Sequence, residues 1–294
     1  MKNTMKKILI TGSRGFIGNN LVNNLSEEYA LRIPTSKELN LLDDVDTKRY
    51  LTDNHFDVII HSANRNNTRR NTTQYDSLDG NLRMFFNLQR CSKLYGKMIY
   101  FGSGAEYDNR HYIPKMKEEY FDQFVPSDPY GFSKYIMSKS CEKDDNIYEL
   151  CLFGVYGKYE EWERRFISNA ICRALKGMDI TIQKNVRFDY LWVDDLVEIL
   201  RWFIENEPNE KRYNVCRGES IDLYSLATIV KRTLGINNPI VVGEDGWKPE
   251  YSGNNSRLLK EMGEFQFTSF EKSISILCDY YKDIIDTIDE TKLI

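Results

Sequence analysis

Tyr130 and Lys134 stand four residues apart in the run Pro129-Tyr130-Gly131-Phe132-Ser133-Lys134, and on a helix that spacing puts both side chains on one face. A phenol ordinarily titrates at about 10. An ammonium beside it favours the phenolate, which makes Tyr130 a usable proton donor and acceptor nearer neutrality. Taken alone, the pair would equally suit an amphipathic helix with a buried Tyr and a surface Lys. Ser103 tips the balance. It stands in Gly102-Ser103-Gly104, after an apolar run from Lys97 to Phe101, and parallel-sheet enzymes place their ligands at the C-terminal ends of strands. A hydroxyl there can hydrogen-bond a substrate carbonyl beside Tyr130. Ser103, Tyr130 and Lys134 are the catalytic candidates, suited to hydride transfer at a carbonyl or carbinol, with Ser103 and Gly104 also facing substrate.

Such chemistry needs a cofactor cradle, and Lys6 to Gly18 (KKILITGSRGFIG) has the form of one. Ile8, Leu9 and Ile10 read as a buried strand running into a tight turn, where Gly12 can take backbone angles closed to other residues. Gly15 lets the backbone approach a bulky anion, and Gly18 lets the following helix pack against the strand. The amides and dipole of that helix N-terminus would hold a pyrophosphate. Gly12, Ser13, Arg14, Gly15, Phe16, Ile17 and Gly18 are therefore dinucleotide-binding candidates. A bare strand-turn-helix is the plainer alternative.

The elements that position these residues alternate along the chain. After a first helix (about Asn19 to Ser26) come a strand at Tyr29 to Ile33 and another at Val58 to Ile60, ending in HSAN. Apolar residues recur at helical spacing from Asn81 to Tyr95, Lys97 to Phe101 is a fourth strand, Pro129 to Glu142 a helix, and Tyr148 to Phe153 a fifth strand. Repeated units of this length predict an α/β fold, a doubly wound parallel sheet of Rossmann type covered on both faces. From about Gly157 longer helices and short strands predict a smaller C-terminal substrate-binding lobe. The expected division is 1–156, with 189–215 returning to it, against 157–188 and 216–294. The stretch 237–257, rich in Asn, Pro and Gly, reads as a loop closing over the site.

With 40 basic and 44 acidic side chains in 294 residues, the net charge of -4 argues against a nucleic-acid surface. Arg69 and Arg70, the densest basic pair, read as a solvated loop. The six cysteines include no CxxC pair and fall mostly in apolar segments, which predicts reduced, buried thiols and a cytoplasmic location. No apolar run approaches membrane-spanning length.

Several segments resemble the extended short-chain dehydrogenase/reductase family, the nucleotide-sugar epimerases, dehydratases and reductases. TGSRGFIG (11–18) resembles that family's TGxxGFIG turn, FGSGAEY (101–107) its strand-end serine segment, and PYGFSK (129–134) its PYxxSK. LFGVYG (152–157), DYLWVDDLVEIL (189–200) and YNVCRGES (213–220) are similar to its NVYG, DxxxVxD and YNVGxG segments. The resemblance implies a Rossmann fold with a nucleotide-sugar lobe and hydride transfer by NAD(P). It also implies homodimers built from the helices beginning near Asn81 and Tyr130. Lys134 would also hold the nicotinamide ribose, and the implied cofactor set adds Ser62, Ala63 and Phe153 to Tyr130, Lys134 and the glycine turn.

Departures from the pattern point to a branch. NAD-linked members carry an acidic residue at the end of the second strand, whereas LRIPTSKELNLLD has Arg32 and Lys37 and no carboxylate before Glu38. Arg14 could stack on adenine or pair with a 2'-phosphate, and Arg32 could join it; a basic surface rim is the plainer account of Arg14, Arg32 and Lys37. SRG followed by ELNLLD resembles NADPH-dependent reductases of 4-keto-6-deoxy sugars. By that resemblance Asp43 would approach the adenine amine, while a second phosphate-binding Arg falls on Ser36. NADP is thus expected before NAD. The dehydratase acid-base pair falls on Gly104 and Ala105, with Glu106 one position late. The epimerising Cys falls on Ala105 and its His near Phe166, and none of the three histidines lies beyond Gly157. His61 reads as packed beside the cofactor. A 4-epimerase retaining NAD, and a non-catalytic NADP sensor, stay open. Asn169, Arg187 and Arg257, with Lys248, are candidates for nucleotide-sugar contacts, and a plain surface charge is the alternative for each.

Overall fold

The computed structural model of the chain describes residues 5–65 and 73–293; Arg69 and Arg70 lie outside the described residues. Along the chain run β1 (Lys7–Thr11), α1 (Phe16–Leu25), β2 (Ala30–Arg32), α2 (Asp44–Asp53), β3 (Phe56–His61), α3 (Gln74–Gln89) and β4 (Tyr95–Ser103). Next come α4 (Pro129–Cys141), β5 (Ile147–Leu152), β6 (Gly154–Tyr156), α5 (Phe166–Leu175), β7 (Ile180–Asn185), β8 (Arg187–Trp192), α6 (Val193–Glu205) and β9 (Arg212–Val215). The remainder forms β10 (Ser220–Asp222), α7 (Leu223–Leu234), β11 (Ile240–Trp247), α8 (Ser256–Met262) and α9 (Phe270–Ile284).

Two compact units emerge. The first comprises Met1–Tyr112, Lys117–Leu152 and Ile199–Val215. Its six strands run parallel in the order β2-β1-β3-β4-β5-β9. The order reverses between β1 and β3, the kind of switch point at which open α/β sheets bind ligands. In the central strands β1, β3 and β4 the residues Ile8, Leu9, Ile10, Ile59, Ile60, Met98 and Ile99 are all inaccessible, as strands covered on both faces require, whereas the edge strand β2 is largely exposed. The second unit comprises Ile113–Met116, Phe153–Glu198 and Cys216–Ile294. It holds the mixed sheet β10-β8-β6, the parallel pair β11-β7, and a core that includes Ile171, Leu226, Ile274 and Leu277.

The units divide after Leu152 and Glu198, not after residue 156 and before 189 as expected. The reason is pairing: β6 runs beside β8, Gly154 opposite Tyr190 and Tyr156 opposite Trp192, so both strands go with the second unit. Three elements differ from expectation. α2 went unanticipated because Thr47 and Leu51 are its only buried residues, too few for an apolar period. α3 starts seven residues before Asn81, at a capping box in which Thr73 and Asp76 exchange hydrogen bonds. β11 lies inside the expected 237–257 loop, with its partner β7 some sixty positions earlier.

Candidate active site

β1 delivers the chain to Gly12 at φ +69, a region that strains residues with a Cβ. A Cβ there would stand 2.7 Å from the backbone of Ala63, and a Cβ on Gly18 would stand 2.2 Å from the Gly12 carbonyl oxygen. Turn, helix and the Ser62-Ala63 segment are thus packed backbone to backbone. The Gly15 amide donates to Gly12 O at 3.0 Å, and Gly15 is the N-cap of α1 without any side-chain cap. α2, α3, α4, α7 and α9 are capped by Asp43, Thr73, Asp128, Asp222 and Ser269, whereas α5 and α8 share with α1 the lack of a side-chain cap. The first amides of α1 therefore keep donors available for an anion. These residues fit a dinucleotide pyrophosphate.

Thr11 ties β1 to β3. Its hydroxyl accepts from the Ala63 amide at 3.2 Å and lies 2.9 Å from His61 Nδ1. This contact ties the imidazole to the β1 side of the turn. Burial, with the Lys134 charge adding to it, pushes His61 down to about 3, so the ring stays neutral, packed beside Tyr100 and Phe85.

Arg14 and Arg32 are both exposed, Arg32 at the end of β2. Glu38 shares this edge. The Thr35 amide, 2.7 Å from it, and the Thr35 side chain hold its carboxyl below the ordinary range, with Arg14 contributing. Asp43, expected at the adenine amine, is exposed and caps α2 through the Asp46 amide at 2.8 Å.

The candidate residues Ser103, Tyr130 and Lys134 stand at the C-terminal end of β4 and in the first turns of α4. Asp128 caps α4 at the Gly131 amide, 2.8 Å away, and Pro129 opens the helix. A Cβ on Gly131 would lie 2.7 Å from Ala105 O, so the helix start seats directly on the single 3-10 turn Gly104–Tyr107 that follows Ser103. Lys134 is buried, and its ammonium donates to Phe101 O at 2.8 Å. It lies 4.9 Å from the Tyr100 ring centroid and 5.9 Å from that of Tyr130. Tyr130 is 43% exposed. Ser103 Oγ, partly buried, accepts from the Ala105 amide at 3.3 Å. Glu106 is inaccessible and turned toward Ser138, 2.8 Å away.

Phe153, Asn169, Arg187 and Arg257 belong to the second unit. Phe153 packs its ring 5.3 Å from that of Tyr251. Asn169 is buried on α5, its amide donating to the carbonyls of Trp162 and Glu163 at 3.2 and 3.3 Å. Arg187 is exposed with its guanidinium 5.9 Å from the Trp247 ring centroid, and Arg257 is half-buried on α8. Sequence reasoning missed Thr11 and the Phe101 carbonyl. The TG pair at 11–12 could have flagged the first; the second is backbone and leaves no sequence signal.

The fold places the chain in a class, the NAD(P)-dependent oxidoreductases of Rossmann type. Within that class the chain belongs to the NAD dependent epimerase/dehydratase family, which it matches over residues 8–216. It is 24% identical to the GDP-L-colitose synthase of Yersinia pseudotuberculosis, over 94% of this chain and 97% of that protein. A putative UDP-glucose 4-epimerase of Methanocaldococcus jannaschii is 25% identical, over 83% of this chain and 93% of its own. The fold superposes on a GDP-L-fucose synthetase from Naegleria fowleri with a TM-score of 0.84, at 17% identity, covering 99% of this chain and 97% of the other. The same protein bound to NADP gives 0.83. A nicotinamide dinucleotide is the cofactor, and among the described residues no helix is long and apolar enough to cross a membrane.

Proposed function

We propose that the protein reduces the C4 ketone of a nucleotide-linked 4-keto-6-deoxy sugar with NADPH. The observation that carries this reading is the turn after β4: Ser103 is followed by Gly104 and Ala105, and Glu106 is buried against Ser138. Among the described residues the site then offers a hydroxyl, a phenol and an ammonium, with no carboxylate pair for elimination and no Cys/His pair for epimerisation at C3 or C5. The names of the Yersinia and Naegleria relatives, both of GDP-sugar synthases, support the substrate class.

Bound cofactor supplies the hydride. Ser103 Oγ hydrogen-bonds the carbonyl oxygen and holds it as charge develops. Tyr130 gives its proton to that oxygen, and being half exposed it can recover one from solvent. Lys134, held by Phe101 O, keeps a positive charge beside the phenol and so stabilises the phenolate left behind. Asn169, Arg187 and Arg257 are proposed as nucleotide-sugar contacts, and Arg14, Arg32 and Asp43 as contacts to the adenosine end of NADP. A homodimer through α3 and α4 belongs to the same reading.

The test mixes enzyme, NADPH and a panel of nucleotide 4-keto-6-deoxy sugars in deuterium oxide, following absorbance and product mass. NADPH oxidation without enzyme-dependent deuterium at C3 or C5 is the expected result; deuterium there would reveal epimerisation. A second reading, an NAD-retaining 4-epimerase, is favoured by Glu38 beside Arg14 and by the name of the Methanocaldococcus relative. Tightly bound NAD, with interconversion of 4-hydroxy sugars and no reductant, would decide for it.

A further inference from the structure

Behind the turn that carries Ser103, two carboxyl groups are wholly buried. Glu106, within the turn, and Glu149, on β5, both have no accessible surface. Ser138 Oγ lies 2.8 Å from Glu106 Oε2 and also hydrogen-bonds Glu149 Oε1. Arg212 Nε donates to Glu149 Oε2 at 2.8 Å and stands 3.6 Å from Glu106 Oε1. The other groups facing the pair are Tyr100 on β4, Cys151 on β5, Cys141 on α4 and Tyr107 in the turn itself. Glu142, at the end of α4, reaches Arg212 from the exposed side.

Proton counting locates the hydrogens. A serine hydroxyl has one proton and cannot donate to two carboxyl oxygens, so one of its two contacts must be a carboxyl donating to Ser138 Oγ. The guanidinium sits closer to Glu149, 2.8 Å against 3.6 Å, so the geometry assigns the extra proton to Glu106. Glu106 Oε1 is buried with no hydrogen-bond partner, tolerable for the carbonyl oxygen of a neutral acid and very costly for a carboxylate. Charge agrees: two ionised carboxylates against one Arg212 would leave a net negative charge in the interior. Burial, and then the Glu149 charge, push Glu106 well above the usual carboxylate range.

The chain of bonds joins the two halves of the catalytic set. Ser138 follows Tyr130 and Lys134 at the same four-residue spacing, on the same face of α4. Glu106 lies three residues after Ser103. Gly102, directly before Ser103, has no room for a side chain, since a Cβ would meet Glu149 Oε1 at 2.0 Å and Glu106 Oε2 at 3.1 Å. We propose that Glu106 is held protonated and acts as a positioning residue, its carboxyl fixing the Ser103 turn to the Tyr130-Lys134 helix through Ser138. The kinetic consequence rests on the Ser-Tyr-Lys reading; the proton's location does not.

The experiment has three arms on the full chain. An infrared difference spectrum, native minus Glu106→Gln at neutral pH, should show the C=O stretch of a protonated carboxyl in the native protein alone; its absence, or persistence in the variant, overturns the proton assignment. Crystal structures of native and Ser138→Ala protein should show the Gly104–Tyr107 turn displaced relative to α4, and an unmoved turn overturns the positioning role. In kinetics, Glu106→Ala and Ser138→Ala should lower kcat about tenfold with NADPH affinity within about twofold of native, because small misplacements of a catalytic group are costly. Glu106→Gln, a neutral donor of the same shape, should recover kcat to within about threefold of native. Native kcat in both truncated variants, or no recovery with Gln, contradicts the proposal. If no offered sugar is reduced by the native protein, the functional reading fails, and the crystallographic and infrared arms still decide this one.

Discussion

Changing Gly18 to Ala tests the glycine turn most directly. A Cβ at this position would sit 2.2 Å from Gly12 O, 2.7 Å from Ser13 Cα and 2.9 Å from the Gly12 carbonyl carbon. Ordinary contact begins at 3.4 Å, so the Gly12 carbonyl must give way by 3.4 minus 2.2, or about 1.2 Å. It cannot retreat toward β3, where Gly12 already presses on the Ala63 backbone, nor move freely while it accepts the Gly15 amide at 3.0 Å. Overpacking of this kind costs about 1–3 kcal/mol, which for a chain of this size lowers Tm by roughly 2–6 °C. The displaced amides of α1 are those proposed to hold the pyrophosphate, and losing one charge-assisted contact costs about 1.5–3 kcal/mol, a ten- to hundredfold drop in affinity. Fluorescence titration with NADPH, alongside thermal melting, reads both effects. Gly177→Ala is the control: φ there is +74 with nothing within 4 Å of the added Cβ, so it carries backbone strain with no blocked turn. Native NADPH affinity in Gly18→Ala, or an equal loss in Gly177→Ala, would refute the reasoning.

Tyr130→Phe should leave NADPH binding near native and lower kcat by about 10²–10⁴-fold, since only the proton donor is removed. Lys134→Met should weaken both turnover and cofactor binding; a fully active Tyr130→Phe enzyme would dismiss the proposed acid. From the Arg14 and Arg32 placement, native protein should bind NADPH about ten- to hundredfold more tightly than NADH and Arg14→Ala should narrow the gap, with equal native affinities counting against it. His61 gives a pH prediction. Its folded value of about 3 lies below the ordinary 6.5, so below 6.5 the unfolded chain binds the extra proton. Stability from this group is therefore complete above about 6.5 and falls as pH drops toward 3. Between pH 7 and pH 5 native protein should lose about 2 kcal/mol more than His61→Gln in urea unfolding, and parallel losses would contradict the assignment.

The sequence by itself determined what depends on near neighbours. The order of apolar run, glycine spacing and helix at residues 6–18 is a local steric statement, and the turn at Gly12 with close packing at Gly18 follows from it. Tyr130 and Lys134 share a face because helical geometry repeats within four residues, and Asp128 and Pro129 mark where that helix starts. Five of the six parallel strands were likewise legible, four of them because strands buried on both faces are continuous apolar runs, while the sixth, β9, was suggested only by resemblance. Where local signals were thin, as in polar α2 and glycine-broken β11, the elements were not readable.

Tertiary structure alone decided the partners. Nothing near Lys134 in sequence says that its ammonium meets the Phe101 carbonyl, or that Thr11 orders the His61 ring. Glu106 looked only like a carboxylate one place too late for catalysis. It becomes an interior acid because β5 brings Glu149, β9 brings Arg212 and α4 brings Ser138 to the same point. A residue's chemistry is set by what surrounds it within a few ångströms. Those neighbours come from strands and helices far apart in the chain, whose meeting is fixed by packing the sheet and not by spacing along the sequence.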